Sequence, residues 1–379
     1  METKAYFPGP TKVRDNVRQA RSLETMNPDM DPEFYEMYSL LGKDIGKIIG
    51  TDNQVLILSG EGILGLEAAC ASLTEPGDRV LVLENGIFGE GFADFVTIYG
   101  GIPVVLKFDR LRAMDTQLLQ EYLERDHDFK YATLVHCDTP SGVLNPLSDI
   151  CPMLKRYGIL SVVDAVASSG GEPVDADRNM LDICLGASQK AFSAPVGLTF
   201  ASVSEAAFKS MESRKVPIAS YYMNLLSFKD SIANQWFPYS MPASDILGLR
   251  RAVDNILDEG IYEFQERHRR IANAVRNAIR EYGLSLHLEN GYSNTVTVVE
   301  MPHSIDVDVF LKRLKKEKGL LLSGSIGYLK NKVIRIGHMG ENANMTELLF
   351  VFEAMDSIIE RMGYKSTEKL KELFMKHMA

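Results

Sequence analysis

Two residues of this chain, a lysine and an aspartate, could do chemistry together. Lys190 follows a short apolar run and several small residues in the stretch Asp182-Ile-Cys-Leu-Gly-Ala-Ser-Gln-Lys-Ala-Phe. An amine displayed after a buried strand suits a Schiff-base lysine, which forms a bond to an aldehyde carbon. Asp164 ends a second apolar run, and a buried aspartate needs a cation or donor as its partner. A protonated pyridine nitrogen would be such a partner, because the contact keeps the ring an electron sink.

Each residue also has an ordinary explanation. Lysines are common at the surface near strand ends, and aspartate favours turns and helix N-caps. Their positions favour the chemical interpretation over the ordinary one, since each residue comes just after a predicted buried strand. If the two strands lie in one parallel sheet, both side chains face a single pocket beyond the carboxyl ends of the strands.

The middle of the chain alternates apolar runs of strand length with stretches of helical length. The predicted strands are Val55–Leu58, Val80–Leu83, Val104–Phe108, Tyr131–His136, Ile159–Val163, Ile183–Leu185 and Gly197–Val203. Strands separated by helices predict an α/β fold with a mostly parallel sheet. After Pro242 the pattern changes to long helices over Ser244–Tyr282, interrupted at Gly260, and then to mixed helices and strands. We expect an N-terminal arm at 1–15, a large α/β domain at 16–250 and a smaller α+β domain at 251–379.

Composition excludes several classes of function. The 379 residues carry a formal net charge of −10 and no extended basic surface block, which argues against nucleic acid and anionic membranes as partners. The four cysteines lack C-x-x-C spacing, and the seven histidines form no metal-binding pattern. No apolar run is long enough to cross a bilayer, and the first residues lack the apolar core of a signal peptide. We therefore expect a cytoplasmic protein with reduced cysteines and no metal.

Ordered motifs along nearly the whole chain resemble one family. Val163-Asp164-Ala-Val-Ala-Ser and Gly186-Ala-Ser-Gln-Lys190 resemble the class V aminotransferases of fold type I, which use pyridoxal phosphate. The resemblance extends to Ser59-Gly-Glu-Gly, Glu67-Ala-Ala, Pro76-Gly-Asp, Asn85-Gly-Ile-Phe-Gly, Thr139-Pro-Ser-Gly and Arg335-Ile-Gly. Among the branches of this family, the alanine–glyoxylate and pyridoxamine–pyruvate types look nearest. The large domain would then bind the cofactor.

The resemblance assigns roles to the residues around the ring. It implies that Lys190 forms the aldimine and then moves the proton between the substrate α-carbon and the cofactor C4′. Asp164 would hold the pyridine nitrogen, Phe88 would stack on the ring, and Thr139 would lie near the ring oxygen. Arg335 would clamp the carboxylate of a 2-oxo acid, although its sequence context also fits an exposed strand arginine.

Further positions are assigned to cofactor and substrate binding in the same way. Gly9 joins the arginine as a substrate-binding residue. Gly60, Glu61, Gly62 and Gln189 occupy the positions that cradle the cofactor phosphate at the start of a helix.

A homodimer with a shared active site also follows from the resemblance. The stretch Trp236-Phe237-Pro-Tyr-Ser240-Met-Pro resembles the family segment that enters the neighbouring subunit's phosphate site. The family places a tyrosine hydroxyl where this chain has Phe237, whereas Ser240 keeps a hydroxyl at the next ligand position.

Glu61 is the departure that matters most, because the family normally has a serine or threonine there. One interpretation is a solvent-facing glutamate stabilised by the helix dipole. The other is that its carboxylate occupies the anion site and excludes a phosphate ester, since two unit charges about 4 Å apart repel by roughly 4 kcal/mol near a protein surface. A carboxylate could instead accept a hydrogen bond from a 5′-hydroxymethyl group. Pyridoxamine–pyruvate transaminase carries such a glutamate and takes unphosphorylated pyridoxamine as its substrate.

The sequence thus predicts an aminotransferase that acts on small amino and 2-oxo acids such as pyruvate or glyoxylate. We favour the pyridoxamine–pyruvate type, with pyridoxal or pyridoxamine bound as a substrate. That branch has an arginine in the loop before Arg335, whereas this chain has Ser323-Gly324-Ser325-Ile326. An ordinary alanine–glyoxylate enzyme with pyridoxal phosphate stays open. A cysteine desulfurase and a non-catalytic B6-vitamer-binding protein are disfavoured by the predicted burial of the cysteines and by the intact lysine, aspartate and arginine. The amino donor and the pathway are left undetermined.

Overall fold

The computed structural model describes residues 3–24 and 26–378. The predicted arm and small domain extend to Met1, Glu2 and Ala379, which lie outside the described residues, as does Thr25. The helices are α1 (Asp15–Arg21), α2 (Pro32–Ile49), α3 (Gly62–Leu73), α4 (Ile87–Ile98), α5 (Thr116–Arg125), α6 (Leu147–Arg156), α7 (Glu205–Glu212), α8 (Ala243–Glu259), α9 (Ile261–Glu281), α10 (Val307–Arg313), α11 (Met345–Arg361) and α12 (Leu370–Met378). The strands are β1 (Lys4–Ala5), β2 (Gln54–Ser59), β3 (Arg79–Glu84), β4 (Ile102–Lys107), β5 (Tyr131–Val135), β6 (Cys137–Asp138), β7 (Val143–Leu144), β8 (Leu160–Asp164), β9 (Ile183–Ala187), β10 (Leu198–Val203), β11 (Ser285–Leu286), β12 (Val296–Glu300), β13 (Leu320–Leu321), β14 (Ser323–Gly324) and β15 (Val333–Gly337).

A seven-stranded sheet forms the centre of the larger part of the molecule. Its order is β2-β10-β9-β8-β5-β3-β4, and β10 alone among these strands runs antiparallel to its neighbours. Strands β5, β9 and β10 are buried along their whole length, as expected for strands covered by helices on both faces. Helices α2, α3, α4 and α6 pack on this sheet. The predicted α/β fold with a mostly parallel sheet is therefore confirmed.

A second, smaller sheet follows in the C-terminal part of the chain. It is antiparallel, in the order β11-β12-β15-β14. Helices α9, α11 and α12 enclose a separate apolar core with it, built around Val275, Phe310, Phe352 and Phe374. Gly260, with φ +91°, separates α8 from α9, as the sequence predicts. The predicted domain boundary near residue 250 falls within α8 and stays a prediction.

The first residues cross from the small sheet to the large one. Strand β1 pairs in parallel with β13, and the backbone of Tyr6 then accepts a hydrogen bond from Gly337 N (2.8 Å) at the end of β15. Five residues later, Thr11 N donates to Gln189 O (3.0 Å) beside Lys190. The N-terminal segment therefore lies between the two sheets, next to the predicted site.

Other predictions concern the thiols, metals and membranes. All four cysteines are buried and free, as predicted. Within residues 3–24 and 26–378, no cluster of histidine, cysteine and acidic side chains could hold a metal ion. None of the helices described has both the length and the apolar character needed to cross a membrane.

Candidate active site

The candidate site lies at one edge of the large sheet, where several strands end together. Asp164, the last residue of β8, is in register with Leu185 of β9 and with Val135 of β5. These strands are parallel, so the residues that follow them meet at the same edge. A cavity of about 280 Å³ opens there. Eight of the twelve predicted site residues line it, namely Gly9, Glu61, Gly62, Phe88, Thr139, Asp164, Gln189 and Lys190.

The amine of Lys190 faces this cavity and is held by the N-terminal segment. Its Nζ donates a hydrogen bond to the carbonyl oxygen of Pro8 (2.8 Å). Burial lowers the pKa of Lys190, while the charge of Asp164 opposes that shift and the charge of Arg335 adds to it. A lowered pKa increases the fraction of neutral, nucleophilic amine near pH 7. The surroundings of Lys190 therefore suit an amine that attacks an aldehyde.

Asp164 presents a buried carboxylate to the same cavity. Its Oδ1 accepts a hydrogen bond from Val166 N (2.9 Å). Burial raises the pKa of Asp164 to about 7, although the Val166 amide and the charge of Lys190 lower it. A cation placed against this carboxylate would stabilise its charged form, as a protonated ring nitrogen would.

The buried carboxylate of Asp164 should make the stability of the protein without ligand depend on pH. Because its folded pKa is raised, its stabilising contribution is present below the unfolded pKa and is lost as the pH rises through about 7. Asp164→Asn keeps an oxygen for the Val166 amide but carries no charge. We expect the variant to gain up to a few kcal/mol over the natural protein at pH 8, roughly 1.4 kcal/mol per pKa unit, and much less at pH 5. Chemical unfolding at both pH values measures this, and an equal difference at both would contradict it.

Phe88 lines the cavity, and its backbone is fixed by Asp138. Phe88 N donates to Asp138 Oδ1 (3.0 Å), and Ser141 Oγ donates to Asp138 Oδ2 (2.8 Å). Asp138 is fully buried, and a Cβ on Gly86 would lie 2.4 Å from its carboxylate carbon. This contact has no local signal in the sequence, because it joins residues 50 positions apart. Asp138 therefore fixes the backbone beside the predicted stacking ring.

Glu61 folds back over the N-terminus of its own helix, although it is exposed in the single chain. It is the N-cap residue of α3, and its Oε1 accepts a hydrogen bond from Ile63 N (3.1 Å). Its Oε2 lies 3.4 Å from the amide nitrogen of Gln189, which donates to it. Both donors belong to the region that the resemblance assigns to phosphate. Gly60 precedes this cap with φ +149°, and Gly60 N donates to Gly197 O (2.8 Å).

Arg335 lies beside the cavity without being part of its lining. Its Nε donates to Gly324 O (2.7 Å), and its Nη1 approaches the carbonyl oxygen of Thr139 at 3.4 Å. Its Nη2 makes no hydrogen bond to any residue that the structure describes. Thr139 lines the cavity, so the guanidinium reaches the wall of the site with one nitrogen uncommitted.

Phe237 and Ser240 are not brought to this cavity. Phe237 is 4% exposed and its ring is stacked on Tyr35 at 4.9 Å between ring centres. Ser240 is exposed, and its hydroxyl donates to Asp29 Oδ2 (2.6 Å). Phe237 therefore packs in the apolar core of its own subunit, and its assignment to the neighbouring subunit's phosphate site stays a prediction.

The side chains at the cavity fit a pyridoxal ring. Phe88 offers an aromatic face, Asp164 a buried carboxylate, and Lys190 an amine. Gln189 Oε1 is buried and has no hydrogen-bond partner among the residues described, so an acceptor stays unused at the wall. At the N-terminus of α3, the backbone amide of Ile63 already donates to the carboxylate of Glu61. The ring therefore fits, while its 5′ end would meet a carboxylate.

Comparisons with known proteins agree with this geometry. Residues 16–326 match the family model described as aminotransferase class-V. The pyridoxamine–pyruvate transaminase of Mesorhizobium japonicum is 30% identical over 89% of this chain and 86% of its own length. The alanine–glyoxylate aminotransferase of Callithrix jacchus is 30% identical over 93% of this chain and 86% of its own length.

A solved structure extends the agreement to the fold. The ureidoglycine–glyoxylate aminotransferase of Bacillus subtilis superimposes with a TM-score of 0.95 at 26% identity, over 100% of this chain and 98% of that one. Its fold is thus shared from end to end. Together with the family match, this shows that the chain belongs to the class V aminotransferases of fold type I and is a pyridoxal-dependent transaminase.

Proposed function

We propose that this transaminase moves an amino group to a small 2-oxo acid, pyruvate or glyoxylate, and that its B6 compound is unphosphorylated. In this form of the reaction, pyridoxamine is the amino donor and pyridoxal is the product. The observation that carries the second part is the position of Glu61. Its carboxylate already accepts from Ile63 N and Gln189 Nε2, two donors in the region that would otherwise face a phosphate.

An anion beside Glu61 is disfavoured for two physical reasons. The helix-terminal amide that would stabilise it is engaged by the Glu61 side chain. A second negative charge would also repel the carboxylate. A 5′-hydroxymethyl group has neither problem, since a hydroxyl can donate to the carboxylate. Glu61 therefore favours pyridoxal and pyridoxamine over their phosphate esters.

The side chains divide the catalytic work among them. A pyridoxal ring bound here supplies an electron sink for the amino group that is transferred. Asp164 would hold the ring nitrogen with its carboxylate. Lys190 Nζ would take a proton from C4′ of pyridoxamine and deliver it to the α-carbon of the acceptor, which becomes the new amino acid, and its lowered pKa makes the neutral amine available for the first of these steps. Phe88 and the apolar side chains of Leu66 and Val166 exclude water from the cavity.

The size and charge of the site favour a small acceptor with one carboxylate. A cavity of about 280 Å³ is at the small end of ligand pockets, which commonly measure about 300–1,000 Å³. The acceptor carboxylate would bind the uncommitted Nη2 of Arg335. Asp138 is buried close enough to oppose the lowering of the Arg335 pKa by burial. Its charge would also disfavour a second carboxylate on the acceptor. Pyruvate and glyoxylate appear in the names of similar enzymes, which supports this choice.

Arg335→Lys should weaken binding of the acceptor. A lysine cannot reproduce the fork of a guanidinium, and a lost charged hydrogen bond weakens binding by roughly 10- to 100-fold. We expect the KM for pyruvate or glyoxylate to rise by about that factor, with a smaller change in kcat. Arg112→Lys is the matched control, because Arg112 is an exposed arginine paired with Glu289. An unchanged KM in Arg335→Lys would remove Arg335 from the acceptor site.

An ordinary alanine–glyoxylate enzyme is the second candidate. It is favoured by the exposure of Glu61, which leaves room for the side chain to swing away from the helix. The two candidates differ in one assay with protein purified without added cofactor. Transfer from alanine to glyoxylate only after pyridoxal phosphate is added, with no transfer from pyridoxamine to pyruvate, would establish the second. Transfer from pyridoxamine without the phosphate ester would establish the first.

We also propose that the chain forms a homodimer across the mouth of this cavity. Ile63 and Val196 line the cavity and are 40% and 48% exposed, which is unusual for apolar side chains at a catalytic site. Trp236 and Tyr222 add exposed aromatic surface of the kind that interfaces bury. Sedimentation of the purified chain should give twice the mass of 42.3 kDa, and a monomer at micromolar concentration would contradict the proposal.

A further inference from the structure

Three residues of the N-terminal segment Tyr6–Thr11 contact the catalytic lysine, namely Pro8, Gly9 and Thr11. Lys190 Nζ donates to Pro8 O (2.8 Å). Gly9 lies so close that a Cβ there would be 2.5 Å from Lys190 Cδ. These contacts join residues about 180 positions apart in the chain, and Gly9 and Lys190 both line the cavity.

Thr11 then fixes the backbone of the lysine itself. Its Oγ1 donates to the carbonyl oxygen of Lys190 (2.8 Å) and lies 3.1 Å from Ser193 Oγ. Ser193 Oγ in turn accepts from Glu341 N (2.9 Å). With the Ser193 hydroxyl donating to Thr11, every hydroxyl in this chain of hydrogen bonds is satisfied. Thr11 is 7% exposed, so the chain is shielded from water.

The turn after the lysine is conformationally demanding and needs such support. Ser193 has φ +55°, a left-handed conformation that is costly for a residue with a side chain. A Cβ on Gly340 would lie 2.0 Å from Ser193 Oγ, so this turn is packed directly against the turn at 340–342. The N-terminal segment, the lysine turn and the end of the small sheet therefore meet at Thr11 and Ser193.

We propose that residues 6–11 are a positioning strap for Lys190: the carbonyl of Pro8 holds the amine while the site is empty, and the hydroxyl of Thr11 fixes the lysine backbone. Thr11 acts through the lysine and does not contact the reacting atoms. The strap rests on the proposed function only in that Lys190 must be the reacting amine. Beyond that function, the N-terminal segment would set the rate at which this amine forms an adduct with an aldehyde.

Thr11→Val tests the strap, since valine keeps the shape but removes the hydroxyl. The probe is pyridoxal, and the readout is the rate at which an adduct at Lys190 can be trapped with borohydride and located by mass spectrometry. Loss of one positioning hydrogen bond should slow this rate about tenfold. Thr11→Ser should restore it. Thr74→Val is the matched control, because Thr74 is a buried threonine with a hydroxyl contact to Tyr131 (2.8 Å) at the far end of α3.

Hydrogen exchange gives a second readout that does not need the aldehyde. Thr11→Val should increase amide exchange at residues 189–193 in the free protein, whereas Thr74→Val should not. Unchanged exchange together with a natural rate of trapping in Thr11→Val would overturn the strap. If the natural protein forms no adduct at Lys190 at all, the proposed function fails instead, so the two failures are distinguishable.

A glycine pair provides an independent test should Thr11→Val unfold. Gly9→Ala places a Cβ against Lys190 and strains a residue with φ +78°. Gly77→Ala imposes a similar strain at φ +89°, but nothing lies within 4 Å of the added Cβ. We expect both to lose some stability and Gly9→Ala alone to lose adduct formation by about a hundredfold, the usual effect of a misplacement of about 1 Å. Equal rates of trapping in the two variants would overturn the strap.

Discussion

Lys190→Ala should abolish both transamination and the absorbance of the lysine–aldehyde adduct. The variant loses the nucleophile that bonds to the aldehyde and the base that moves the α-carbon proton. Loss of such a base alone slows a reaction by about 10²–10⁴-fold, so we expect activity to fall by at least this factor. Absorbance titration with pyridoxal and an assay of amino-group transfer check the two effects.

Removal of this side chain should not disturb the fold. Among the residues described, the amine makes one hydrogen bond, to Pro8 O. The shorter alanine side chain removes the contact with Gly9 and introduces no clash. Lys209→Ala is the matched control, because Lys209 is an exposed lysine on α7 with one ion pair. A Lys190→Ala protein that folds and still turns over at the natural rate would disprove the assignment of this site.

Glu61→Ser should raise the affinity for pyridoxal phosphate and lower the preference for pyridoxal. Serine is a good N-cap, so α3 should keep its stability. The repulsion that is removed is worth about 1 kcal/mol if water screens it fully and about 4 kcal/mol at a near-surface dielectric. The affinity for the phosphate ester should therefore rise by about fivefold to a thousandfold. Glu61 is exposed in the single chain, and burial of this residue in a dimer would move the effect towards the upper figure.

The control for Glu61→Ser is another acidic N-cap. Asp115 caps α5 with the same kind of contact, accepting from Gln117 N (2.9 Å), and it is not part of the cavity. Asp115→Ser should leave both affinities unchanged. Should Glu61→Ser bind pyridoxal phosphate no better than the natural protein, the carboxylate would be a helix cap with no role in selecting the vitamer.

The large sheet and the main site residues could be predicted because their signals are local. Asp164 and Lys190 each follow a buried strand, and parallel strands bring such positions to one edge. The position of Glu61 at the start of a helix could also be predicted, from its place before Gly62-Ile-Leu-Gly. These features depend on a few neighbouring residues whose periodicity or chemistry is specific.

Contacts between distant segments could not be predicted in this way. Nothing in Phe7-Pro8-Gly9-Pro10 indicates that a carbonyl oxygen meets an amine 182 positions later. The sequence around Asp138 likewise indicates only a turn residue. The hydrogen bond that Phe88 N donates to its carboxylate is seen only in the structure. Such contacts depend on how whole elements pack, which a single sequence does not encode locally.

The most direct test of the account is the formation of pyridoxal from pyridoxamine and pyruvate by protein freed of pyridoxal phosphate. The product can be quantified by chromatography, alongside the alanine that forms with it. We expect stoichiometric pyridoxal and alanine, no need for added pyridoxal phosphate, and no product with Lys190→Ala. A protein that makes no pyridoxal under these conditions, yet transfers amino groups from alanine to glyoxylate once pyridoxal phosphate is supplied, would contradict the central role given to Glu61.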